Sequence, residues 1–186
     1  IIIIDDCSQA HGATINSLKV GSLADISCFS LYPGKNLGAY GDAGIITTNN
    51  IKFYKKIKNF RNLGSDIKFV HNQIGFNSRL DTIQAKILTN KLLNLNRYNR
   101  NRKKISKYYD ININNSKIDK LKYTQGSVYH QYVIKVKDRN KLIKFLKKNK
   151  IQFGIHYPKS INKIDSLKKF FTKKVFNNAE NLAKKC

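Results

Sequence analysis

The sequence predicts an α/β protein. Three observations carry that expectation. Short β-branched runs end in acids, glycines or asparagines; longer stretches repeat apolar residues at helical spacing; and the two kinds alternate along the chain.

The elements follow in order. Residues 1–4 are an apolar run closed by Asp5 and Asp6, the pattern of a buried parallel strand with its active end at the C-terminus. Residues 25–31 form a second strand candidate, and residues 44–48 a third, closed by Asn49 and Asn50. Between these two lies Tyr32-Pro33-Gly34-Lys35-Asn36-Leu37-Gly38, a turn-rich loop that exposes a lysine. Residues 51–61 show helical spacing. The longest helical pattern covers residues 80–109, where Leu80, Ile83, Ile87, Leu88, Leu92 and Leu95 recur without an intervening Gly or Pro. A helix of that length between two differently patterned halves predicts an interdomain connector. Residues 110–126 are polar and predict a loop with one short element. Residues 127–136 alternate like a strand, 138–150 are amphipathic, 152–155 read as a short strand, and 177–185 as a final helix. The second half is therefore expected to be a small β-α-β-α domain. No internal repeat is visible. The chain opens without a Met and stops at Cys186 inside a Lys-rich helical pattern. Both ends read as cuts, so a piece of a longer protein is expected.

The formal net charge is +25, from 36 Lys+Arg against 11 Asp+Glu. Alone, this points to an anionic partner. Lysine is spread almost evenly from Lys52 to Lys185, among many Asn and Ile, which reads as compositional drift rather than a polyanion site. Cys7, Cys28 and Cys186 are odd in number and widely spaced, so neither a disulfide framework nor a zinc site is indicated, and no metal is expected. A reducing, cytoplasmic setting fits. No apolar stretch approaches the roughly 18 residues that a membrane span needs.

The chemistry gathers at two predicted strand ends. Asp6 lies in Asp6-Cys7-Ser8-Gln9-Ala10-His11-Gly12, and Lys35 in the loop after Ser30. Open α/β sheets bind ligands at the carboxyl ends of their strands, so two neighbouring ends deliver an acid and an amine to one crevice. Pyridoxal 5'-phosphate asks for that pair: a lysine amine for the aldehyde and a carboxylate against the pyridine nitrogen, with donors around the phosphate. Taken singly, a strand-end Asp is also a cap, and a loop Lys is also an ordinary solvent-exposed residue.

The combination resembles a family. DxxQxHG at 6–12, SxxxxK at 30–35 followed by NxGxxGDAG at 36–44, and GFNSRLD at 75–81 are similar to the DegT/DnrJ/EryC1/StrS aminotransferases, in order and spacing, over essentially the whole chain. The resemblance implies aminotransferase fold type I. Residues 1–79 would be the C-terminal part of the large cofactor-binding domain, 80–109 a connecting helix, and 110–186 an incomplete small α/β domain. It implies that Asp6 pairs with the pyridinium nitrogen and Gln9 with the ring 3-oxygen, and that Ser30 contacts the phosphate. Lys35 would carry the cofactor and then move the proton between substrate and cofactor. Asn77 would reach the cofactor phosphate of a neighbouring protomer, so a homodimer with shared sites is expected. His11 would line the site or pack structurally. His130 and His156 match positions where the family often has His and are candidates for touching substrate, and His71 is read as surface. The family's phosphate loop and stacking aromatic would lie upstream, so the 186 residues alone are expected to bind the cofactor weakly.

Family dehydratases replace the lysine with His; Lys35 therefore implies transamination, with glutamate as expected donor. The stretch 32–44 is most similar to members acting on dTDP-3-oxo-6-deoxyhexoses, with UDP-4-keto sugars as the alternative, in amino-sugar biosynthesis for a surface polysaccharide, lipopolysaccharide or glycoside. Two other classes are weighed. A non-catalytic or regulatory member should have lost Asp6, Gln9 or Lys35. A basic nucleic-acid-binding module should cluster its charge on one face with aromatic platforms, whereas Tyr and Phe here fall mostly at core-like positions.

Overall fold

The computed structural model describes residues 1–171 and 175–186. It divides into two compact units. The first comprises Ile1–Tyr108 and Tyr123–His130, and the second Tyr109–Lys122 and Gln131–Cys186.

The first unit is built on a three-stranded sheet. Strand β1 (Ile4–Asp6) pairs in parallel with β4 (Ile26–Ser30), which pairs antiparallel with β5 (Gly44–Thr47), giving the order β1-β4-β5. The first strand is thus shifted toward the acids from its expected span over 1–4. Nor is the isoleucine run buried: Ile4 is 65% exposed. Strand β1 is at the edge of the sheet, with β4 as its one neighbour among the described residues. Between β1 and β4 a two-residue-strand hairpin, β2 (Thr14–Ile15) with β3 (Leu18–Lys19), turns through Asn16 and Ser17, both at positive φ. That geometry matches the right-handed twist of hairpin strands.

Helix α1 (Ile51–Phe60) starts where the Asn50 side chain accepts from the Lys52 and Phe53 backbone N–H groups, a standard N-cap arrangement. The expected helix over 80–109 is instead two, α2 (Thr82–Leu92) and α3 (Leu95–Asn112). The Asn94 N–H bonds to the Lys91 carbonyl at 3.0 Å, three residues back rather than four, which tightens one turn. No Gly or Pro takes part, so the sequence carries no breaker at that point. Leu88 and Leu95, on either side of the break, both enter the core with Leu31, Leu37 and Ala39, and Ala43 and Leu80 pack against them. The core therefore forms the floor of the 31–39 loop. A buried leucine contributes about 1.5–3 kcal/mol by transfer from water.

The second unit holds the antiparallel pair β6 (Ile118–Lys120) and β7 (Ile134–Val136), helix α4 (Arg139–Lys148), two short 3₁₀ turns at Ile161–Lys163 and Asp165–Phe170, and helix α5 (Asn177–Lys185). The strand expected over 127–136 shrinks to its last three residues. Upstream of it, the Val128, Tyr129 and His130 carbonyls accept from the Asn36 and Arg102 side chains rather than from a strand, and Tyr129 sits at positive φ. The strand expected over 152–155 is absent, since that backbone has no ladder partner among the described residues. The β-α-β-α expectation is thereby corrected to a hairpin followed by helical segments. No helix among the described residues is long and apolar enough to cross a membrane.

Candidate active site

Asp6 is the last residue of β1, opposite Cys28 of β4. The chain then turns sharply: the Ser8 N–H donates to Asp6 Oδ1 at 3.0 Å, and the Ala10 N–H to the Cys7 carbonyl at 2.9 Å. Hydrogen bonds from the Ser8 hydroxyl and backbone hold the Asp6 carboxyl below the usual carboxylate range; burial opposes them, and the positive charge of Lys35 adds to the lowering. Asp6 is therefore an exposed, firmly ionised acid at a strand end. Gln9 projects from the same turn, also exposed. Cys7, between them in sequence, points the other way. It is fully buried, its Sγ lies 3.1 Å from Asp5 Oδ2, and burial followed by that carboxylate pushes the thiol up to about 11. It stays protonated and is no nucleophile.

Ser30 is the last residue of β4, and its Oγ lies 3.4 Å from the Tyr32 N–H. The loop that follows is closed through Leu31, whose N–H donates to the Ala43 carbonyl and whose carbonyl accepts from Ala39, both at 2.8 Å. At its tip the Lys35 N–H bonds back to the Tyr32 carbonyl at 2.9 Å. Gly38 is required where the loop folds back, because a Cβ there would overlap the Pro33 carbonyl oxygen. Helix α2 holds the far side: Lys91 Nζ donates to the Gly38 carbonyl at 2.6 Å and stacks on the Tyr40 ring, while Gln84 Oε1 accepts from the Tyr40 N–H at 2.8 Å. Lys35 is half-buried, and its charge is felt by both Asp6 and His11.

His11 is 3% exposed and its ring packs on Phe29, centroids 5.3 Å apart. Neither ring nitrogen has a hydrogen-bond partner of good geometry among the described residues. Burial pushes its proton affinity down, the Ser30 backbone favours the proton, and the Lys35 charge disfavours it. The imidazole is neutral at pH 7 and lies within reach of the Lys35 charge.

The structure thus places Lys35 within electrostatic reach of both Asp6 and His11, with Gln9 on the turn after Asp6 and Ser30 at the strand end before the Lys35 loop. The other candidates lie elsewhere. Asn77 is exposed on the loop after α1, where its backbone bridges to Asn62 and its Oδ1 accepts from Arg79 Nε at 3.1 Å. His130 turns its Nδ1 inward, 3.0 Å from Asn36 Oδ1. His156 belongs to the second unit, its Nδ1 3.3 Å from Gln131 Nε2. His71 is exposed, with Nδ1 2.9 Å from the Leu63 carbonyl. Among the described residues no group of three or more His, Cys, Asp or Glu side chains is placed to hold a metal ion.

Sequence reasoning missed two residues next to the site. Asn36 and Asn99 are both buried, and Asn36 Nδ2 donates to Asn99 Oδ1 at 2.9 Å. The available signal was Asn99 itself, a polar residue four positions after Leu95 on the core-facing stripe of its helix.

The chain is 45% identical over 158 residues to a dTDP-3-amino-3,6-dideoxy-α-D-galactopyranose transaminase of Aneurinibacillus thermoaerophilus, covering 84% of this chain and 44% of that protein. It is 37% identical over 158 residues to a UDP-N-acetyl-3-dehydro-α-D-glucosamine 3-aminotransferase of Acidithiobacillus ferrooxidans, covering 84% and 43%. Among solved structures it superposes on S. venezuelae DesV, determined with a ketimine intermediate, with a TM-score of 0.92 and 28% identity over 100% of this chain and 51% of that one. The chain therefore spans about half the length of the relatives it matches, and it folds as part of aminotransferase fold type I. The profile of the DegT/DnrJ/EryC1/StrS aminotransferases, a family dependent on pyridoxal 5'-phosphate, matches residues 1–186, and the chain belongs to that family.

Proposed function

We propose that this chain supplies the lysine and the ring-facing acid of an aminotransferase that moves an amine from glutamate onto a keto-sugar nucleotide, with a dTDP-3-oxo-6-deoxyhexose as acceptor. The observation that carries the reading is the ionised Asp6 at the end of β1, within reach of the Lys35 charge on the loop that leaves the neighbouring β4. These residues fit pyridoxal 5'-phosphate. A carboxylate kept below its usual range complements a protonated ring nitrogen, the Gln9 amide offers a donor to a ring oxygen, and the Ser30 hydroxyl offers one to the phosphate. When bound, the cofactor supplies the electron sink that makes a substrate C–H acidic.

The protein's own groups do the rest. Asp6 would hold its negative charge against the ring nitrogen. Lys35 Nζ would hold the cofactor by its aldehyde carbon, and the same amine would move the proton at the reacting carbon. The neutral His11 ring, seated on Phe29, walls the crevice without adding a second positive charge beside Lys35. The assembly we favour is a homodimer in which Asn77, exposed on its loop, meets the partner's cofactor phosphate.

The dTDP-linked acceptor is supported by the name of the relative from A. thermoaerophilus. A UDP-linked acceptor is the second reading, because the relative from A. ferrooxidans is named for a UDP-linked 3-dehydro sugar. The test is amine transfer from glutamate in the full-length protein, offered dTDP-3-oxo-6-deoxyhexose, UDP-linked 3-oxo and UDP-4-keto sugars in parallel. Transfer to the first, abolished by Lys35→Ala, is expected. Transfer only to a UDP-linked sugar would select the second reading, and no transfer to any would reject both.

A further inference from the structure

Lys35 is followed by a residue whose side-chain polar atoms are both engaged. Asn36 is 7% exposed. Its Nδ2 donates to Asn99 Oδ1 at 2.9 Å and to the Val128 carbonyl at 3.0 Å. Both amide hydrogens are then used, so Oδ1 must accept, and His130 Nδ1 at 3.0 Å must carry the proton it donates. Asn99, 6% exposed on α3, accepts from Asn36 and donates through Nδ2 to the His11 carbonyl at 2.8 Å. One turn further along α3, Arg102 Nη1 donates to the His130 carbonyl at 3.0 Å and fixes the segment that bears Val128 and His130.

These bonds run between the two loops that carry the chemistry. His11 lies on the turn after Asp6, and Asn36 lies beside Lys35. The backbone N–H of Lys35 closes a turn within its own loop, at Tyr32, so the tip of that loop is tied to α3 and to the Asp6 turn through Asn36. An apolar pair would pack a core as well here, but it would leave the loops free to slide; directional bonds in a buried polar network favour one arrangement.

We infer that Asn36 and Asn99 are positioning residues for Lys35, setting the distance of its amine from the Asp6 carboxylate. This rests on the reading of Lys35 and Asp6 given above. The amine and the acid must address opposite ends of one rigid ring, so a shift of the Lys35 loop against the Asp6 turn moves the nucleophile off the aldehyde carbon.

The test reads bond formation at Lys35 directly. Full-length apoprotein is mixed with pyridoxal 5'-phosphate. The Lys35 amine adds to the aldehyde with loss of water, and borohydride, by adding hydride, reduces the resulting C=N to a secondary amine that marks the peptide by mass. The rate at Lys35 is compared with that at exposed Lys52 in wild type, Asn36→Ala, Asn99→Ala, the double variant and Asn59→Ala. Asn59 is also buried and also bonded, to Gln73 at 2.7 Å, so it controls for general softening. We expect the Lys35 rate to fall about 10-fold or more in each single variant, with the double variant no slower than the slower single. Lys52 should be unchanged, and Asn59→Ala should react like wild type at Lys35 despite a lower Tm. Unchanged rates in both single variants, or an equal fall in the Asn59 control, would overturn the inference. Where an alanine variant does not fold, the near-isosteric Asn36→Asp, which loses both donors, takes the same readout against the same two outcomes. A wild-type protein that forms no adduct at Lys35 rejects the underlying reading, and this inference with it.

Discussion

Asp6 and Cys28 face each other across the parallel β1–β4 pair, so the acid that ends β1 is level with a residue two short of Ser30, where β4 ends. Strand β4 runs on past the level of the acid to Ser30, and the loop that follows bears Lys35, near enough for its charge to lower the Asp6 proton affinity.

Substituting Asp6→Asn keeps an acceptor for the Ser8 N–H and removes the charge. The kcat of the full-length enzyme should drop by about 10²-fold, the scale of losing a preorganised electrostatic partner. The Tm at pH 7 should change little, because the carboxylate is exposed. Its folded-state proton affinity is lowered, so its contribution to stability is present above the ordinary value of 3.8 and is lost as pH falls through the lower folded value. A parallel measurement of kcat and Tm separates the two effects.

His11 gives a pH dependence at milder acidity. Burial first, and the Lys35 charge after it, lower its proton affinity from 6.5. Below that value the unfolded chain takes up a proton that the folded site resists, so stability falls as the pH drops from about 6.5 toward the lowered folded value. His11→Phe, which keeps a ring against Phe29, should flatten that part of the Tm–pH curve. An unchanged slope between pH 7 and 5 would show that His11 does not titrate there.

Gly38→Ala forces a Cβ onto the Pro33 carbonyl, which the loop can relieve only by opening. A cost of about 1–3 kcal/mol is expected from overpacking. Because the strain falls on the loop that carries Lys35, denaturant titration should be paired with cofactor absorbance, and both should suffer.

Leu88→Ala tests the floor beneath that loop. Leu88 is 5% exposed and packs with Leu31, Leu37, Ala39 and Leu95. Its truncation should destabilise the protein by about 2–5 kcal/mol. A chemical denaturation midpoint that hardly moves would mean that α2 does not support the loop.

The candidate residues that the sequence could name are those marked by local context. Asp6 closes an isoleucine run, and Lys35 lies in the turn-rich loop after the strand candidate at 25–31, so each strand end can be read from where its pattern stops. Asn36 and Asn99 were not legible, because an asparagine in a loop and another on a helix say nothing of each other until 63 residues of chain fold between them. The single helix over 80–109 failed for a related reason. Leu88 and Leu95 are in phase with the core, and the tightened turn at Asn94 leaves no mark in composition. The strand over 127–136 was lost because Asn36 and Arg102 side chains, distant in sequence, claim its carbonyls.

Leu31 serves both ends of the lysine-bearing loop, donating to Ala43 and accepting from Ala39, with its own side chain 1% exposed in the core. The loop is therefore a noose drawn tight at one residue. Residues inserted between Tyr32 and Gly38 would enlarge the noose and leave the knot and the sheet beneath it untouched, but they would pull Asn36 against its bond to Asn99. Reach at this site is therefore held by loop length and by that amide pair together.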